Sequence, residues 1–307
     1  MTMLSSTHFA FMRHVAEYNL SYATTSEFDA RHEIFTAIHD LIEAENKNTE
    51  NTFTVGHNEF STWTDAERSR MLGFRSSGAV NAITENNTPN ADSVDWNTKG
   101  CVTAPKNQAS CGSCWAFSTT GSMEGAHCAE GNTLVSLSEQ ELVDCDTADG
   151  NAGCNGGDMA LAMKWAETNG LCTESDYAYK GKDGTCKESS CTASVKTTSY
   201  TNVTAGSSKG LMASIETAPT SIAIEADKLA FQMYRHGVLN SKKCGTNLDH
   251  GVLAVGYGTD STGQDFYLVK NSWGASWGES GFLRIANNGD GDGICGIQMD
   301  AVRATTN

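Results

Sequence analysis

Apolar positions in the first 75 residues of the chain recur at helical spacing. One stripe at three-to-four spacing consists of Ile34, Phe35, Ile38, Leu41 and Ile42. Glu27 stands four residues before Arg31, which is the spacing of a favourable ion pair on a helix. The pattern predicts an amphipathic helix, and because ordinary surface helices share this periodicity it assigns no function by itself.

A polar stretch from Ser76 to Ser93 has few periodic apolar positions and predicts an exposed linker. Beyond it, the segment from Cys114 to Asn132 mixes small and apolar residues without proline and predicts a buried helix that stops at Gly131. The runs 251–258 and 265–274 have the composition of strands. We therefore expect a helix-rich first half and a strand-rich second half after the linker.

Composition limits the class of protein. The chain of 307 residues is 39% hydrophobic, enough for a sizeable core and for two ordinary domains. Its formal charge of −16 argues against nucleic acid or an anionic membrane as a partner, because both would repel it. No run of about 18 apolar residues predicts a membrane span.

The 11 cysteines all lie between Cys101 and Cys295. Ten of them could form five disulfides and leave one free, which is typical of an oxidising compartment and one reactive thiol. The N-terminus lacks the apolar stretch of a cleavable signal, so we expect that a signal peptide has been removed. Sequons at Asn19, Asn86 and Asn202 are candidate glycosylation sites and agree with secretory passage.

Cys111 and Cys114 in "NQASCGSCWAF" have a spacing that three chemistries use. A redox pair belongs in a small βαβ unit, whereas these cysteines follow a loop and have nine others around them in the sequence. A structural zinc site needs four ligands, and no second CxxC is present. The third interpretation makes Cys114 a nucleophile beside a structural cysteine.

A nucleophilic thiol needs a depressed pKa, a base, a group that orients the base, and donors for the oxyanion. Cys114 begins the predicted helix, whose N-terminus favours a thiolate. Gln108 in the preceding loop can offer its amide to the oxyanion. His250 begins a predicted strand, and Asn271, 21 residues later, ends the next one, a separation that fits a hairpin.

Four sequence blocks in this order resemble the papain and cathepsin L family of cysteine proteases. They are "CGSCW", "GCNGG", "LDHGVLAVGYG" and "KNSWGASWGESGF", and the similarity runs from about Val94 to the C-terminus. The resemblance implies an α+β, papain-like fold with a helical left domain, a β-barrel-like right domain and the active-site cleft between them.

The resemblance also implies a role for each matching residue. Cys114 would be the nucleophile, His250 the general base and acid, and Asn271 the group that orients the imidazole. Gln108 and the Cys114 backbone N–H would form the oxyanion hole. Trp273 would shield the Asn271 contact from water, with Trp277 nearby.

The first third of the chain resembles the proregions of the same family. The pattern E-x3-R-x2-I-F-x2-N-x3-I-x3-N is matched by Glu27, Arg31, Ile34, Phe35, Ile42 and Asn46, with Ile38 in place of its first asparagine. The pattern G-x-N-x-F-x-D is matched by Gly56, Asn58 and Phe60, with Thr62 in place of the aspartate, so pH sensing cannot be assigned to that position. We expect a helical inhibitory prosegment at 1–75, a tail at 76–92 that passes through the cleft, and the mature protease at 93–307.

Disulfide pairs and substrate pockets follow from the resemblance. Three family bridges would join Cys111 to Cys154, Cys145 to Cys186, and Cys244 to Cys295. Four further cysteines suggest two extra bridges, Cys101 to Cys128 and Cys172 to Cys191. Residues expected to bind substrate are Gly156, Gly157, Met159, Ala223, Leu248, Gly251, Trp273 and Asp300. The apolar members suit Leu, Phe or Val at P2, and Asp300 at the pocket floor could pair with arginine.

The function expected from the resemblance is that of an endopeptidase zymogen. No insertion with paired histidines lies between Cys154 and Cys186, as it would in relatives that remove dipeptides from C-termini. Expected partners are polypeptide substrates, the prosegment itself and cystatin-type inhibitors, and the expected state is a monomer without cofactor or metal. The expected location of the protein is a lysosome-like acidic compartment or the extracellular space. A non-catalytic relative and an exopeptidase remain as alternatives.

Activation at low pH is a further expectation. Before Ser93 the chain has 13 Asp and Glu against 6 Lys and Arg. Protonation of carboxylates that are paired in the closed form would weaken the docking of the prosegment as the pH falls.

Overall fold

The computed structural model describes residues 5–78, 83–85, 87–187 and 191–307. Its first part contains α1 (Ser6–Glu17), α2 (Thr25–Asn46), β1 (Phe53–Val55), a 3-10 helix (Glu59–Thr62) and α3 (Asp65–Ser69). The hydroxyls of Ser5, Thr24 and Thr64 accept N–H groups in the first turns of α1, α2 and α3, and so satisfy donors that a helix start leaves free. No helix among these described residues is long and apolar enough to cross a membrane.

The predicted amphipathic helix is α2, and its apolar stripe is buried at Phe35, Ile38 and Ile42. Phe11 of α1 is fully buried and packs on Phe35 with ring centroids 5.5 Å apart. The prediction is wrong for Leu41, which remains 50% exposed because it lies at the rim of the contact between α2 and the rest of the protein.

Arg31 ties α2 to α3. Its guanidinium donates two hydrogen bonds, of 2.5 and 2.7 Å, to the Glu67 carboxylate and a third, of 2.8 Å, to the Thr62 carbonyl. The expected partner Glu27 lies farther away, at 3.8 Å. Glu67 therefore supplies the carboxylate for Arg31, while Thr62 contributes only its backbone.

Two short strands, β2 (Ile83–Glu85) and β3 (Val94–Asp95), precede three helices: α4 (Cys114–Ala129), α5 (Glu139–Cys145) and α6 (Met159–Asn169). The predicted buried helix is confirmed as α4, which is buried continuously from Cys114 to Ala126. Small residues allow this burial. A side chain at Gly125 would lie 2.3 Å from Pro219, so glycine permits close approach of the neighbouring loop.

The second half adds seven strands and two helices, which are β4 (Thr197–Val203), α7 (Ser208–Thr217), β5 (Thr220–Ile224), α8 (Leu229–Gln232), β6 (Tyr234–Leu239), β7 (His250–Thr259), β8 (Asp265–Lys270), β9 (Phe282–Ala286) and β10 (Ala301–Thr306). The described strands form one sheet in the order β1-β6-β9-β8-β7-β5-β10-β4-β2, and β3 pairs with β7. The expected helix-rich first half and strand-rich second half are both present.

The first part of the chain shares this sheet. β1 pairs antiparallel with β6, and β2 pairs parallel with β4. The side-chain amide of Asn46 holds β1 in place, because it donates to the Val55 carbonyl at 2.8 Å and accepts the Val55 N–H at 2.9 Å. Asn46, the last residue of α2, thus anchors the edge strand β1.

Most of the described residues between Ser76 and Ser93 are exposed, as predicted, but their backbone is attached to the rest of the protein. The Ser77 N–H donates to the Asp158 carboxylate at 2.8 Å, and the Asn90 and Ala91 N–H groups donate to Glu216. Backbone donors in a polar stretch can bind carboxylates on the protein surface as readily as water, and sequence polarity does not distinguish the two outcomes.

Five disulfides are present: Cys101–Cys128, Cys111–Cys154, Cys145–Cys186, Cys172–Cys191 and Cys244–Cys295. Cys114 is free and buried. The pairs are those expected from the sequence, including the two extra bridges. The two cysteines of the CxxC sequence therefore differ: Cys111 forms a disulfide, and Cys114 is a free thiol.

The Arg31–Glu67 ion pair should stabilise the packing of α2 against α3 fully at every pH above about 4.5. Arg31 lowers the pKa of Glu67 from 4.5 to about 2, so the stabilisation is complete above pH 4.5 and disappears as the pH falls toward 2. In the full-length chain carrying Cys114→Ser, Glu67→Gln should lower the free energy of unfolding by about 1 kcal/mol at both pH 5 and pH 7. Thermal unfolding at the two values measures it, and an effect present only at pH 7 would contradict the assignment.

Candidate active site

Cys114 is the first residue of α4 and is completely buried. Burial raises the pKa of its thiol to about 11, although the backbone N–H groups of Gly251, Gly73 and Trp115 bond to the sulfur and act in the opposite direction. The depressed pKa expected from the helix start is therefore wrong for the closed form. The charged thiolate loses its hydration in the buried site, and this cost outweighs the stabilisation that the helix N-terminus offers.

The β7–β8 hairpin brings His250 and Asn271 together, as predicted. His250 is the first residue of β7, and Asn271 follows the last residue of β8. His250 Nε2 lies 2.8 Å from Asn271 Oδ1, and since a carbonyl oxygen only accepts, Nε2 carries the proton. Nδ1 has no partner among the described residues and remains available as an acceptor.

His250 is neutral in this arrangement. Burial lowers the pKa of its imidazole to about 4, and the hydrogen bond to Asn271 opposes that shift only in part. Trp273 packs against the imidazole with ring centroids 4.9 Å apart and against Trp277 at 5.5 Å. Both indoles are buried, as are His250 and Asn271.

Gln108 presents its side-chain amide at the same site. Its Nε2 donates to the Cys111 carbonyl at 2.7 Å, and its Oε1 accepts the Ser272 hydroxyl at 2.7 Å. The second Nε2 hydrogen bond, of 2.9 Å, goes to the carbonyl of Met71. A carbonyl from the first part of the chain therefore occupies the donor that was predicted to hold the oxyanion.

Residues 71–77 cover these groups. The Phe74 N–H donates to the Asp249 carbonyl at 2.9 Å, the Arg75 N–H donates to the Gly157 carbonyl at 2.9 Å, and the Gly157 N–H donates to the Gly73 carbonyl at 2.8 Å. We expected residues 76–92 to pass through the cleft, and the structure adds that residues before Ser76 cover the part beside Cys114.

Gly73 makes this path possible. A side chain at Gly73 would lie 1.9 Å from the Gly112 carbonyl oxygen, and one at Gly156 would lie 2.6 Å from the Gly73 oxygen. Only backbone atoms fit between these two glycines. The peptide therefore passes directly over the Cys114 sulfur.

The residues expected in the P2 pocket lie around Phe74. Phe74 is buried in the same apolar cluster as Met159 and Ala223, and Leu248 packs against that cluster. Gly251 pairs with Ala223 between β7 and β5, and a side chain at Gly251 would lie 3.1 Å from the Met159 sulfur. Phe74 and these residues thus belong to one buried apolar cluster.

Asp300 lines a cavity of about 450 Å³ beside this pocket, together with Ser76 and Asp158. Burial and the neighbouring Asp158 raise the pKa of its carboxyl to about 6, although the Ser76 side chain hydrogen-bonds to it. Asp158 was missed from the sequence. It follows "GCNGG" directly and caps α6 by accepting the Ala160 N–H at 2.8 Å, so the N-cap position was the available signal.

Two family models match this chain. Residues 90–305 match the papain family cysteine protease model, and residues 11–67 match the cathepsin propeptide inhibitor domain. The chain belongs to the papain family of cysteine proteases and carries a cathepsin-type propeptide.

Relatives of known sequence extend over both regions. The chain is 43% identical to digestive cysteine proteinase 3 of Homarus americanus, with 92% of this chain and 90% of that protein covered. It is 41% identical to cysteine proteinase 5 of Dictyostelium discoideum, with 95% and 90% covered.

Solved proenzymes have the same fold. The structure superposes on a recombinant stem bromelain precursor with a TM-score of 0.90 and 35% identity, covering 98% of this chain and 99% of that one. It superposes on digestive procathepsin L 3 of Tenebrio molitor larval midgut with a TM-score of 0.87 and 33% identity, with the same coverage. The chain is a cysteine peptidase in its proenzyme form, with a papain-like α+β fold.

Burial of Cys114 should protect its thiol from alkylation in the proenzyme. We expect iodoacetamide at pH 7 to leave Cys114 unlabelled until the prosegment is removed, and then to label it at least 100-fold faster because the thiolate can form. Mass spectrometry of the peptide around Cys114 measures the rate, and Cys114→Ser is the control. Equal labelling before and after removal would show that the thiol is already accessible.

Proposed function

We propose that this protein is the zymogen of a cysteine endopeptidase whose nucleophile is Cys114. The observation that carries the proposal is the occupied site: the Met71 carbonyl accepts from Gln108 Nε2, and the Gly73 N–H bonds to the Cys114 sulfur. The chain's own peptide backbone thus lies against the groups that would bind a scissile peptide. Release of this segment by cleavage would open the same groups to substrate.

Catalysis would begin with transfer of the Cys114 thiol proton to His250 Nδ1, which has no other partner among the described residues. The thiolate attacks the substrate carbonyl carbon, and Gln108 Nε2 and the Cys114 N–H stabilise the oxyanion. The imidazolium returns its proton to the leaving amine as the C–N bond breaks. A water, deprotonated by His250, then hydrolyses the thioester and restores the thiol.

Asn271 would keep the imidazole in the reactive tautomer. Its carbonyl oxygen fixes the Nε2 proton and so leaves the Nδ1 lone pair available to accept the thiol proton. We propose Trp273 as a shield of this hydrogen bond and Gly156 and Gly157 as backbone partners of substrate. The Gly157 N–H and carbonyl already bind the prosegment backbone at Gly73 and Arg75.

Endopeptidase action is favoured over exopeptidase action by the sequence between Cys154 and Cys186, which contains no histidine. A non-catalytic binding protein is disfavoured because Cys114, His250 and Asn271 are all present. We further propose the division into a prosegment at 1–75, a tail at 76–92 and a mature enzyme at 93–307, with the chain acting as a monomer that cystatin-type inhibitors can block.

Internal cleavage is the test of this function. After removal of the prosegment, the enzyme should hydrolyse a peptide blocked at both ends, and Cys114→Ser should abolish the activity while Asn271→Ala should reduce kcat by about 100-fold. Chromatography of the products measures it. An enzyme that cleaves only peptides with a free terminus would be an exopeptidase, and one that binds but never cleaves would support the non-catalytic alternative.

At P2 we propose acceptance of both apolar and arginine side chains. Burial of Phe74 in the same apolar cluster as Met159 and Ala223 supports acceptance of an apolar or aromatic side chain. The Asp300 and Asp158 carboxylates line the adjacent cavity, so a guanidinium that extends past the apolar wall can form an ion pair there. Asp158 contributes to the raised pKa of Asp300, and both carboxyls line the same cavity, which supports their action on one ligand.

Removal of the Asp300 carboxylate should therefore affect only basic substrates. We expect Asp300→Ala to lower kcat/KM for a substrate with arginine at P2 by about tenfold and to leave kcat/KM for leucine within about twofold. Two fluorogenic dipeptides that differ only at P2 measure the ratio. An equal loss for both substrates would refute pairing with arginine.

The setting of the enzyme is also a proposal. We propose passage through the secretory pathway to an acidic, lysosome-like compartment or the exterior, with release of the prosegment at acidic pH. The disulfides and the acidic composition support it. Of the sequons, Asn19 is exposed and is the site we propose for a glycan, whereas Asn202 lies within β4 between two paired strands, and Asn86 lies outside the described residues.

A further inference from the structure

Histidines are concentrated in the prosegment. Five of the eight in the chain precede residue 60, namely His8, His14, His32, His39 and His57. Three of them surround Phe35 of α2: the ring centroids of His57, His14 and His39 lie 4.0, 5.1 and 6.2 Å from that of Phe35. We call His14, His39 and His57 the histidine cluster.

His57 uses both ring nitrogens in the closed form. Nε2 lies 3.0 Å from His39 Nδ1, and Nδ1 lies 3.0 Å from the Ser61 hydroxyl. A hydrogen bond between two imidazole nitrogens needs one N–H and one lone pair. If both rings carry two protons, two donors and two positive charges face each other, and the contact becomes repulsive.

His14 is even less able to accept a proton without a change in packing. Its side chain is 3% exposed, and Nε2 is buried with no hydrogen-bond partner among the described residues. Its ring lies against those of Tyr18 and Phe35. A proton on Nε2 would place an uncompensated charge between α1 and α2.

The pKa values follow from this geometry. Burial lowers the pKa of His14 to about 4. Burial also lowers the pKa of His57 to about 4, with smaller contributions from His39 and His14.

The charged groups around the cluster do not offset these effects. On α1, Glu17 contributes to the raised pKa of Tyr18. On the 3-10 helix, burial raises the pKa of the Glu59 carboxyl. From α2, Glu43, one turn beyond His39, pairs with Lys47, and His32 packs on Phe11.

The remaining neighbours come from the protease. Arg235 and His236 line a cavity with His57, and Glu279 in that cavity is held by Arg284 and His236. No carboxylate in the described ranges forms a hydrogen bond or ion pair with His14 or His57.

His57 connects this cluster to the protease. It lies between Gly56, whose N–H donates to the Met233 carbonyl at 2.9 Å, and Asn58, whose side-chain amide donates to the Gln232 carbonyl at 2.7 Å. Phe60, three residues on, packs on Trp273 at 5.4 Å, and Trp273 packs on His250. Displacement of the His57 ring would therefore move the loop that docks on the active-site indole.

Carboxylates serve this purpose poorly in this chain. Thr62 occupies the position where the proregion motif has aspartate. Arg31 lowers the pKa of Glu67 to about 2, so Glu67 stays ionised throughout the acidic range of a lysosome-like compartment. We propose that the histidine cluster is the acid sensor of the zymogen, and that its protonation separates α1, α2 and the 56–60 loop and releases the prosegment. This inference rests on the proposed acid activation and names the groups that cause it.

The direction of the effect follows from linkage. The released prosegment holds histidines with the ordinary pKa of 6.5, whereas His14 and His57 in the closed form have a pKa of about 4. The closed form therefore keeps its full stability above pH 6.5 and loses it as the pH falls toward 4. This interval is the one in which an acidic compartment differs from neutral surroundings.

The test uses full-length Cys114→Ser proenzyme as the substrate of a trace of mature enzyme. The rate of prosegment cleavage is divided, at each pH from 4 to 7.5, by the rate on a blocked peptide, which removes the pH dependence of catalysis. The normalised rate should rise as the pH falls below 6.5. His14→Phe and His57→Gln, tested separately, should each reduce the increase between pH 7.5 and pH 5 by about tenfold.

Control variants and a second measurement make the outcome decisive. His127→Gln, in the half-buried last turn of α4, should follow the parent curve, and so should Glu59→Gln. Thermal unfolding of the same proteins without protease should show a fall in prosegment melting temperature from pH 7 to pH 5 that both histidine variants diminish.

Parent-like curves for both histidine variants, or a shift with Glu59→Gln alone, would overturn the histidine proposal and favour a carboxylate sensor. If the parent shows no pH dependence in either measurement, acid activation itself fails. If the mature enzyme does not cleave the blocked peptide, the endopeptidase proposal fails, and thermal unfolding still decides the role of the histidines.

Discussion

The structure depends on a peptide backbone that passes through the cleft without a side chain at the critical point. Gly73 lies between Gly112 and Gly156, and its N–H reaches the Cys114 sulfur. With the segment in place, Cys114 and His250 are both fully buried. Because low polarity disfavours charge on either group, the same segment that excludes substrate also keeps the thiol and the imidazole neutral.

This segment is held from both sides. Upstream, the loop of residues 56–60, here called the docking loop, attaches to the protease through Gly56 and Asn58. β1 also extends the edge of the sheet at β6. Downstream, β2 pairs with β4. Backbone hydrogen bonds of this kind tolerate many sequences, and the side chains of Asn58 and Phe60 add specific contacts with the protease.

The fold class and most of the candidate site could be predicted because their signals lie in short, continuous stretches of the sequence. α4 and the β7–β8 hairpin follow from composition and periodicity, and the four family blocks place Cys114, His250 and Asn271 on them. Asp158 was missed because a capping aspartate looks the same whether or not it also faces a cleft. Leu41 was placed wrongly because periodicity defines a stripe but not where its contact ends.

Sequence alone determined which groups could do chemistry, since residue type and spacing define a nucleophile, a base and the hairpin that orients it. Tertiary structure decided their state. Whether the thiol at a helix start is a thiolate depends on solvent access, and in this zymogen the prosegment removes the solvent. Likewise, scattered histidines became one cluster only when α1, α2 and the docking loop packed around Phe35, because the contacts are long-range and no local pattern encodes them.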